Sequence, residues 1–402
     1  MRALVISDTH FGTWAGEDIL RDPETLTLLA PALDDLDEVV LLGDLFDFLF
    51  ARVEEAFAAA DGLFALLREK LQGKRVVFVA GNHDHHVVTR EREIRIELSL
   101  VTGERGDELD ERVRGELSFR RFLKHRLDGV EVDLRYPTYM VGDVMCTHGH
   151  YLDPHVRNSG SASSRLLGHL IWSIALGARD DPRTIEEYEA VITLLTDELY
   201  TLAQLPHGTE AQRIVYRRAR RLGQLGAALS IPTHLLGRVR DRFERLNGDR
   251  DPDRVAAHQT APDYRQARES ERRRRSRVGA PGEAGALSYP LARQVRPSDP
   301  REAALLAFDR VVHNLGWDRQ AKQIVFGHTH QPLADVSVPG STVRYWNTGS
   351  WIYEPDLSSR SAYANYLKRA WPGTAVLIDT ATDAPRLLEL RAHLNPLNGG
   401  LC

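Results

Sequence analysis

Five apolar, β-branched runs in this chain each end on residues able to hold a metal ion. RALVIS leads into Asp8-Thr9-His10, EVVLLG into Asp44-Leu45-Phe46-Asp47, RVVFVAG into Asn82-His83-Asp84, YMVGDVMCT into His148-Gly149-His150, and KQIVFG into His328-Thr329-His330. Ligands of α/β sheets collect in the crevice outside the carboxyl ends of the strands, so five such tips can converge on one site. Carboxylates and an amide oxygen mixed with imidazoles suit Mn²⁺, Fe or Zn²⁺ and do not make a thiolate site. The donors suffice for two ions with one carboxylate shared between them.

Strands and helices alternate through residues 1–100, which predicts an α/β sheet core. PETLTLLAPALDDL from Pro23 and the stretch Val53–Leu71 carry helical patterns, and residues 90–128 read as charged helix ending at Gly129. VEVDLRY, Pro137 and TYMVGDVMCT read as two strands meeting at a tight turn, with Gly142-Asp143 a bulge or bend. Beyond residue 151 the texture changes. RTIEEYEAVITLLTDELYTLAQL has helical apolar spacing, and Gln212–Leu229 looks like another helix. Residues 247–300 lose periodicity and collect Asp, Pro, Gly and Arg, including Arg272–Arg275, which reads as a long loop or partly disordered segment. EAALLAFDRVVHNLG then returns the chain to the sheet, and KQIVFG, TVRYWNT and TAVLID supply closing strands.

At 402 residues, with 42% hydrophobic and 27% charged content, the chain can bury a sizeable core. A formal charge of −5 gives no overall pull toward nucleic acid or anionic membrane. Two cysteines, Cys146 in a strand and Cys402 at the end, support neither a disulfide framework nor a zinc finger and fit a reducing compartment. Because the strand MRALVIS starts at the first residue, no signal peptide is expected, and Leu166–Ala178, the longest apolar run, is too short to span a bilayer. The expectation is a cytoplasmic protein.

The order DxH, GDxxD, GNHD, a single His, then GHxH resembles that of the calcineurin-like metallophosphoesterase family, over residues 1–150 and roughly 320–350. The resemblance implies an αββα sandwich, here split into residues 1–150 and 301–395 by a helical, Arg-rich insertion at 151–300 acting as a lid or cap. It implies that Asp8, His10 and His330 hold one ion, that Asn82, His148 and His328 hold a second, and that Asp44 bridges both. Two divalent cations, Mn²⁺ first with Fe or Zn²⁺ as alternatives, can share a hydroxide that attacks a phosphomonoester, phosphodiester or pyrophosphate. His83 is then the general acid, and Asp84 is expected to accept its other ring N–H. Asp47 is assigned to support or loop geometry. GDLFDFLF looks most like the branch containing UDP-2,3-diacylglucosamine hydrolases. That branch typically carries Arg where this chain has His83, and here the chain looks more like a general phosphomonoesterase or phosphodiesterase.

Any one of these Asp or His residues alone is more often a solvated or hydrogen-bonded side chain than a ligand; five ordered sets at strand ends are a different matter. His85, His86 and His150 fall outside the pattern and are expected at the rim or in solvent. Cys146 is expected as a small core hydrophobe. Asn347-Thr348-Gly349-Ser350-Trp351 is expected at the edge of the site without a catalytic role. Residues 211–280 hold eighteen Arg against eight Asp plus Glu, a local charge of +10. That stretch leaves open a grip on polyphosphate or nucleic acid, and hence a structure-specific nuclease or nucleic-acid-binding protein, against a solvated basic surface. Leu166–Ala178 leaves open peripheral lipid contact against a helix packed on the catalytic domain. The substrate and the oligomeric state are not legible.

Overall fold

In a computed structural model, the apolar runs form strands whose alternate side chains enter two different cores. The structure describes residues 1–13, 18–156, 182–210, 260–277, 300–357 and 359–398. The strands are β1 (Arg2–Ile6), β2 (Glu38–Leu42), β3 (Arg75–Val79), β4 (Glu131–Arg135), β5 (Thr138–Val141), β6 (Val144–Thr147), β7 (Gln323–Phe326), β8 (Leu333–Ser337), β9 (Arg344–Asn347), β10 (Thr374–Asp379) and β11 (Arg386–Glu389). The helices used below are α1 (Pro23–Leu29), α2 (Val53–Ala59), α3 (Asp61–Lys70), α4 (His86–Thr102), α5 (Asp107–Glu116), α6 (Ser118–Arg126), α7 (Asp153–Val156), α8 (Ile185–Gln204), α9 (Ala261–Arg277), α10 (Pro300–Asn314) and α11 (Arg360–Arg369).

One sheet has the order β11-β10-β1-β2-β3-β4 and the other β5-β6-β7-β9-β8. Ala3, Val5, Val40, Leu42, Val77 and Val79 face Val144, Cys146, Val325 and Trp346 across the space between the sheets. Leu4, Ile6, Val39, Leu41, Val76 and Phe78 point the other way, onto helices that include α3 and α6. On the far side of the second sheet, Met145, Ile324 and Phe326 pack under Tyr188 and Ile192 of α8 and Phe308 and Val311 of α10. The result is the expected αββα sandwich. Each fully buried Val, Leu or Phe contributes about 1.5–3 kcal/mol, so this two-faced alternation fixes strand register firmly. Cys146 is buried between the sheets.

Several sequence expectations change in detail. Val53–Leu71 is two helices, α2 and α3, meeting at Ala60, with Gly62 closely packed on Leu26. The charged stretch after residue 85 is three helices, and Gly103 at φ 72 ends the first. The two strands expected on either side of Pro137 are three. VEVDLR belongs to the first sheet, TYMV and VMCT pair as a hairpin in the second, and Gly142-Asp143 is the turn of that hairpin. β8 and β11, both at sheet edges and half-exposed, had no continuous apolar run to announce them.

The segment read as a loop at 247–300 contains a helix, α9, which includes Arg272–Arg275. Arg, Gln, Ala and Glu are strong helix formers, and loss of apolar periodicity reports lack of burial on one face, not lack of helix. Tyr264 anchors α9 against Tyr363, Tyr366 and Leu367 of α11, and its hydroxyl donates to the Leu357 carbonyl at 3.2 Å. The expected helix at Gln212–Leu229, the apolar run Leu166–Ala178, the remainder of 247–300 and Cys402 lie outside the described residues. None of the described helices is long and apolar enough to cross a membrane.

Candidate metal centre

β1, β2 and β3 are parallel, as are β6 and β7, so all five motif loops leave one edge of the sandwich. The loops are stitched together by main-chain hydrogen bonds: Asp8 N–H to Gly43 O (3.1 Å), His10 N–H to Asp44 O (2.9 Å), Gly327 N–H to His148 O (3.0 Å) and Trp351 N–H to Asp8 O (3.0 Å). Among the described residues, Asp8 (φ 53), His10 (φ 47), Asp44 (φ 50), His328 (φ 67) and His330 (φ 55) adopt left-handed backbone although none is glycine. Strain of this kind gathers where side chains must be aimed for a purpose.

The side chains meet in two overlapping groups. His330 Nε2 lies 3.1 Å and His10 Nε2 3.9 Å from Asp8 Oδ1. Asp44 Oδ2 lies 3.6 Å from His10 Nε2 on one side and 3.2 Å from His148 Nε2 on the other. His148 Nε2 is also 3.2 Å from Asn82 Oδ1, and His328 joins the cluster of Asp44 and His148. All seven sequence-predicted ligands therefore converge, with Asp44 between the two groups.

Hydrogen bonds on the far atoms aim these donors. His148 Nδ1 donates to the Leu42 carbonyl at 3.0 Å, which turns Nε2 inward, and His328 Nε2 donates to Asp153 Oδ1 at 2.8 Å, which leaves Nδ1 for the cluster. Asp8 Oδ2 accepts from the Ser7 hydroxyl and from His328 N–H (3.0 Å), so Oδ1 is the atom turned to the imidazoles. Ser7 Oγ also meets Thr348 Oγ1, and Asn347 Nδ2 donates to the Gly327 carbonyl at 2.7 Å. The Asn347–Trp351 segment thus braces two of the motif loops from the site's edge.

Burial would raise the Asp8 and Asp44 carboxyls, but the surrounding imidazoles, His330 and His10 at Asp8 and His148 and His83 at Asp44, hold both well below the usual carboxylate range. Burial pulls the other way on the rings, yet Asp44 outweighs it and lifts His148 to about 10. Ionised, buried carboxylates and an amide oxygen, among imidazoles of which His148 and His328 have their outer nitrogens already committed, are a donor set that fits two divalent cations in place of ring protons.

Asp47 takes a supporting part, as expected, but it is the one that was expected of Asp84. His83 Nδ1 pairs with Asp47 Oδ1 at 2.7 Å, not with Asp84. Asp84 instead accepts from Gly81 N–H (2.6 Å) and Leu45 N–H (2.9 Å), clamping the GNHD loop to the GDxxD loop, and burial with the neighbouring Asp44 charge pushes it up to about 7. Burial lowers His83, but Asp44 and Asp47 outweigh it and raise the ring to about 9. His85 and His150, expected at the rim, are buried at 0% and 3% exposure; His86 is half-buried and stacked on Tyr200. α8 meets His85 through Glu189 and His86 through Tyr200, while His150 lies among Tyr136, His148, Tyr151 and His328; this packing could not be read from the motifs. The same helix brings Glu189 onto His85, Tyr136 and Tyr151, a cluster that sequence reasoning missed.

The model of the calcineurin-like phosphoesterase family matches residues 1–188, which contain the first four motif loops of this centre. That match supports the resemblance carried by the motifs. It supports, in general terms, a metal-dependent phosphoesterase, a hydrolase. No curated protein matches the chain. Among solved structures, a cold-active protein-tyrosine phosphatase of a psychrophile, Shewanella sp., aligns with 94% of this chain and 75% of its own at 14% identity and a TM-score of 0.25.

Glycines in these motifs make room for the clustered side chains. A Cβ on Gly81 would lie 2.2 Å from Asp44 Oδ1 and 2.6 Å from Asp44 N. Gly81→Ala should therefore displace Asp44 at an overpacking cost of about 1–3 kcal/mol. The expected result is a lowered thermal midpoint together with Mn²⁺ binding weakened at both sites, read by calorimetric titration. Unchanged Mn²⁺ binding would mean that Asp44 is not held where the geometry puts it.

Proposed function

We propose that this chain hydrolyses phosphomonoester, phosphodiester or pyrophosphate bonds at a centre of two divalent transition-metal ions, with Mn²⁺ the first candidate and Fe or Zn²⁺ the alternatives. Asp8, His10 and His330 would hold one ion, Asn82, His148 and His328 the other, and Asp44 both. The observation that carries this reading is the position of Asp44 Oδ2, flanked by His10 Nε2 of one group and His148 Nε2 of the other. Bound ions would supply Lewis acidity toward phosphoryl oxygens and an activated water. His83 supports a general-acid role. Asp47 fixes its Nδ1 and keeps the ring protonated, and the ring lies 4.5 Å from that of His10, beside the cluster. Cysteine usage supports a cytoplasmic location.

A second reading, a structure-specific nuclease, is favoured by α9. Seven Arg against three acidic residues fall within Ala261–Arg277, and its anchor Tyr264 packs in the same cluster as Tyr353, two residues beyond Trp351. A salt-dependent affinity for DNA or RNA would distinguish it.

Metal-stripped protein reloaded with Mn²⁺ should contain two ions per chain by elemental analysis. It should hydrolyse at least one of p-nitrophenyl phosphate, bis(p-nitrophenyl) phosphate and pyrophosphate, and lose that activity to chelator. Protein that takes up no metal after loading, or that turns over regardless of chelator, would overturn the reading.

A further inference from the structure

The helix α8 belongs to the segment inserted between the His148 and His328 motifs, yet it is built into the back of the centre. A reciprocal capping box starts it: Thr184 accepts from Glu187 N–H, and the Glu187 carboxylate reaches back to Thr184 N–H. Tyr188, fully buried, pins its first turn against His155 (2.6 Å) and Asn314 (3.2 Å). The next residue, Glu189, is a buried carboxylate with four partners. Oε2 accepts from His85 Nε2 (3.1 Å) and Arg92 Nη2 (3.0 Å), and Oε1 accepts from the hydroxyls of Tyr136 and Tyr151. Tyr136 OH in turn accepts from His150 Nε2 at 3.2 Å. His85 follows the Asn82 motif, and His150 and Tyr151 follow His148. One side chain of the insertion thus ties together the two loops that carry Asn82 and His148.

A second inserted carboxylate, Asp153 of α7, accepts directly from His328 Nε2 at 2.8 Å. On the other side of the cluster, Asp8 is aimed by groups of the sandwich itself, the Ser7 hydroxyl and the His328 amide. The two halves of the centre therefore differ in what holds them.

We infer that Asp153 and Glu189 are positioning residues for one ion only, that of Asn82, His148 and His328, so that filling this site and seating α8 on the sandwich are coupled. The inference rests on the dinuclear reading above. Outer hydrogen-bond partners of metal ligands set ring tautomer, orientation and basicity, and their loss typically weakens metal binding about 10–100-fold. Coupling between two events is reciprocal, so metal at that site must hold α8 down by the same factor that α8 tightens metal.

The test uses the full chain. Mn²⁺ titrations followed by calorimetry and electron paramagnetic resonance would compare wild type with the near-isosteric Asp153→Asn and Glu189→Gln. The expected result is about 10–100-fold weaker binding at one of the two sites for Asp153→Asn, which bonds His328 directly, and a smaller loss at that same site for Glu189→Gln, with the other site unchanged in both. In wild-type protein, saturating Mn²⁺ should slow amide hydrogen exchange across residues 185–204, a readout that does not depend on either variant folding. Equal weakening of both sites, a lowered thermal midpoint with both affinities intact, or exchange in 185–204 indifferent to Mn²⁺ would each overturn the coupling. Wild-type protein that binds fewer than two ions would instead overturn the dinuclear reading on which it rests.

Discussion

Asp44→Asn should abolish turnover and weaken both metal sites while leaving the sandwich folded. Asp44 is buried, its Oδ1 accepts His83 N–H at 2.8 Å, and its Oδ2 stands between His10 and His148. An amide keeps the shape and one acceptor oxygen but removes the negative charge that two adjacent cations need between them. The rate should fall to that of chelator-treated wild type, because an interaction made to both metals disappears with the metals themselves. Elemental analysis and circular dichroism on the same sample separate the outcomes. A folded variant that retains two tightly bound ions would show that the bridge lies elsewhere.

His83→Ala should leave metal content largely intact and slow hydrolysis by about 10²–10⁴-fold for esters with poor leaving groups. For p-nitrophenolate, which leaves without needing a proton, the loss should shrink. Asp47→Asn provides the companion measurement. The Asp44 and Asp47 carboxylates raise the His83 pKa, so the ring keeps its proton at neutral pH and loses it only as pH climbs through the raised value. Neutralising Asp47 lowers that value, and the alkaline limb of the rate profile for a poor leaving group should move to lower pH while the acid limb stays. Equal losses on good and poor leaving groups, with an alkaline limb that does not move, would remove His83 from the role of acid.

How far the site could be read from sequence follows from the range of the interactions involved. The candidate ligands stand out because each is fixed locally, at the end of a strand whose burial on both faces forces a continuous apolar run. Supporting contacts reach across the chain and leave no local trace. Asp47 meets His83 at a separation of 36 residues and Glu189 meets His85 at 104. Adjacency in sequence makes Asp84 the expected partner of His83, but its carboxylate is turned back to its own loop, onto Gly81 N–H. His85 and His150 looked like rim residues for a similar reason. A helix about a hundred residues further along the chain meets His85, and aromatic and imidazole rings from several loops enclose His150. The misreading around residues 261–277 has another origin. Amphipathic periodicity detects helices with one apolar face, and α9 holds on largely through Tyr264.

The left-handed backbone at Asp8, His10, Asp44, His328 and His330 bears on how this protein can change. A side chain at such a position costs about 1–2 kcal/mol relative to the ordinary helical region, and glycine escapes most of that cost. Summed over five positions, the penalty is on the order of the whole net stability of a typical domain. Selection for stability alone would drift these sites toward glycine, and each step would erase a proposed ligand. Chains that abandon the chemistry should therefore betray it first at these loop positions, gaining robustness where they lose a donor, long before the strands beneath them change.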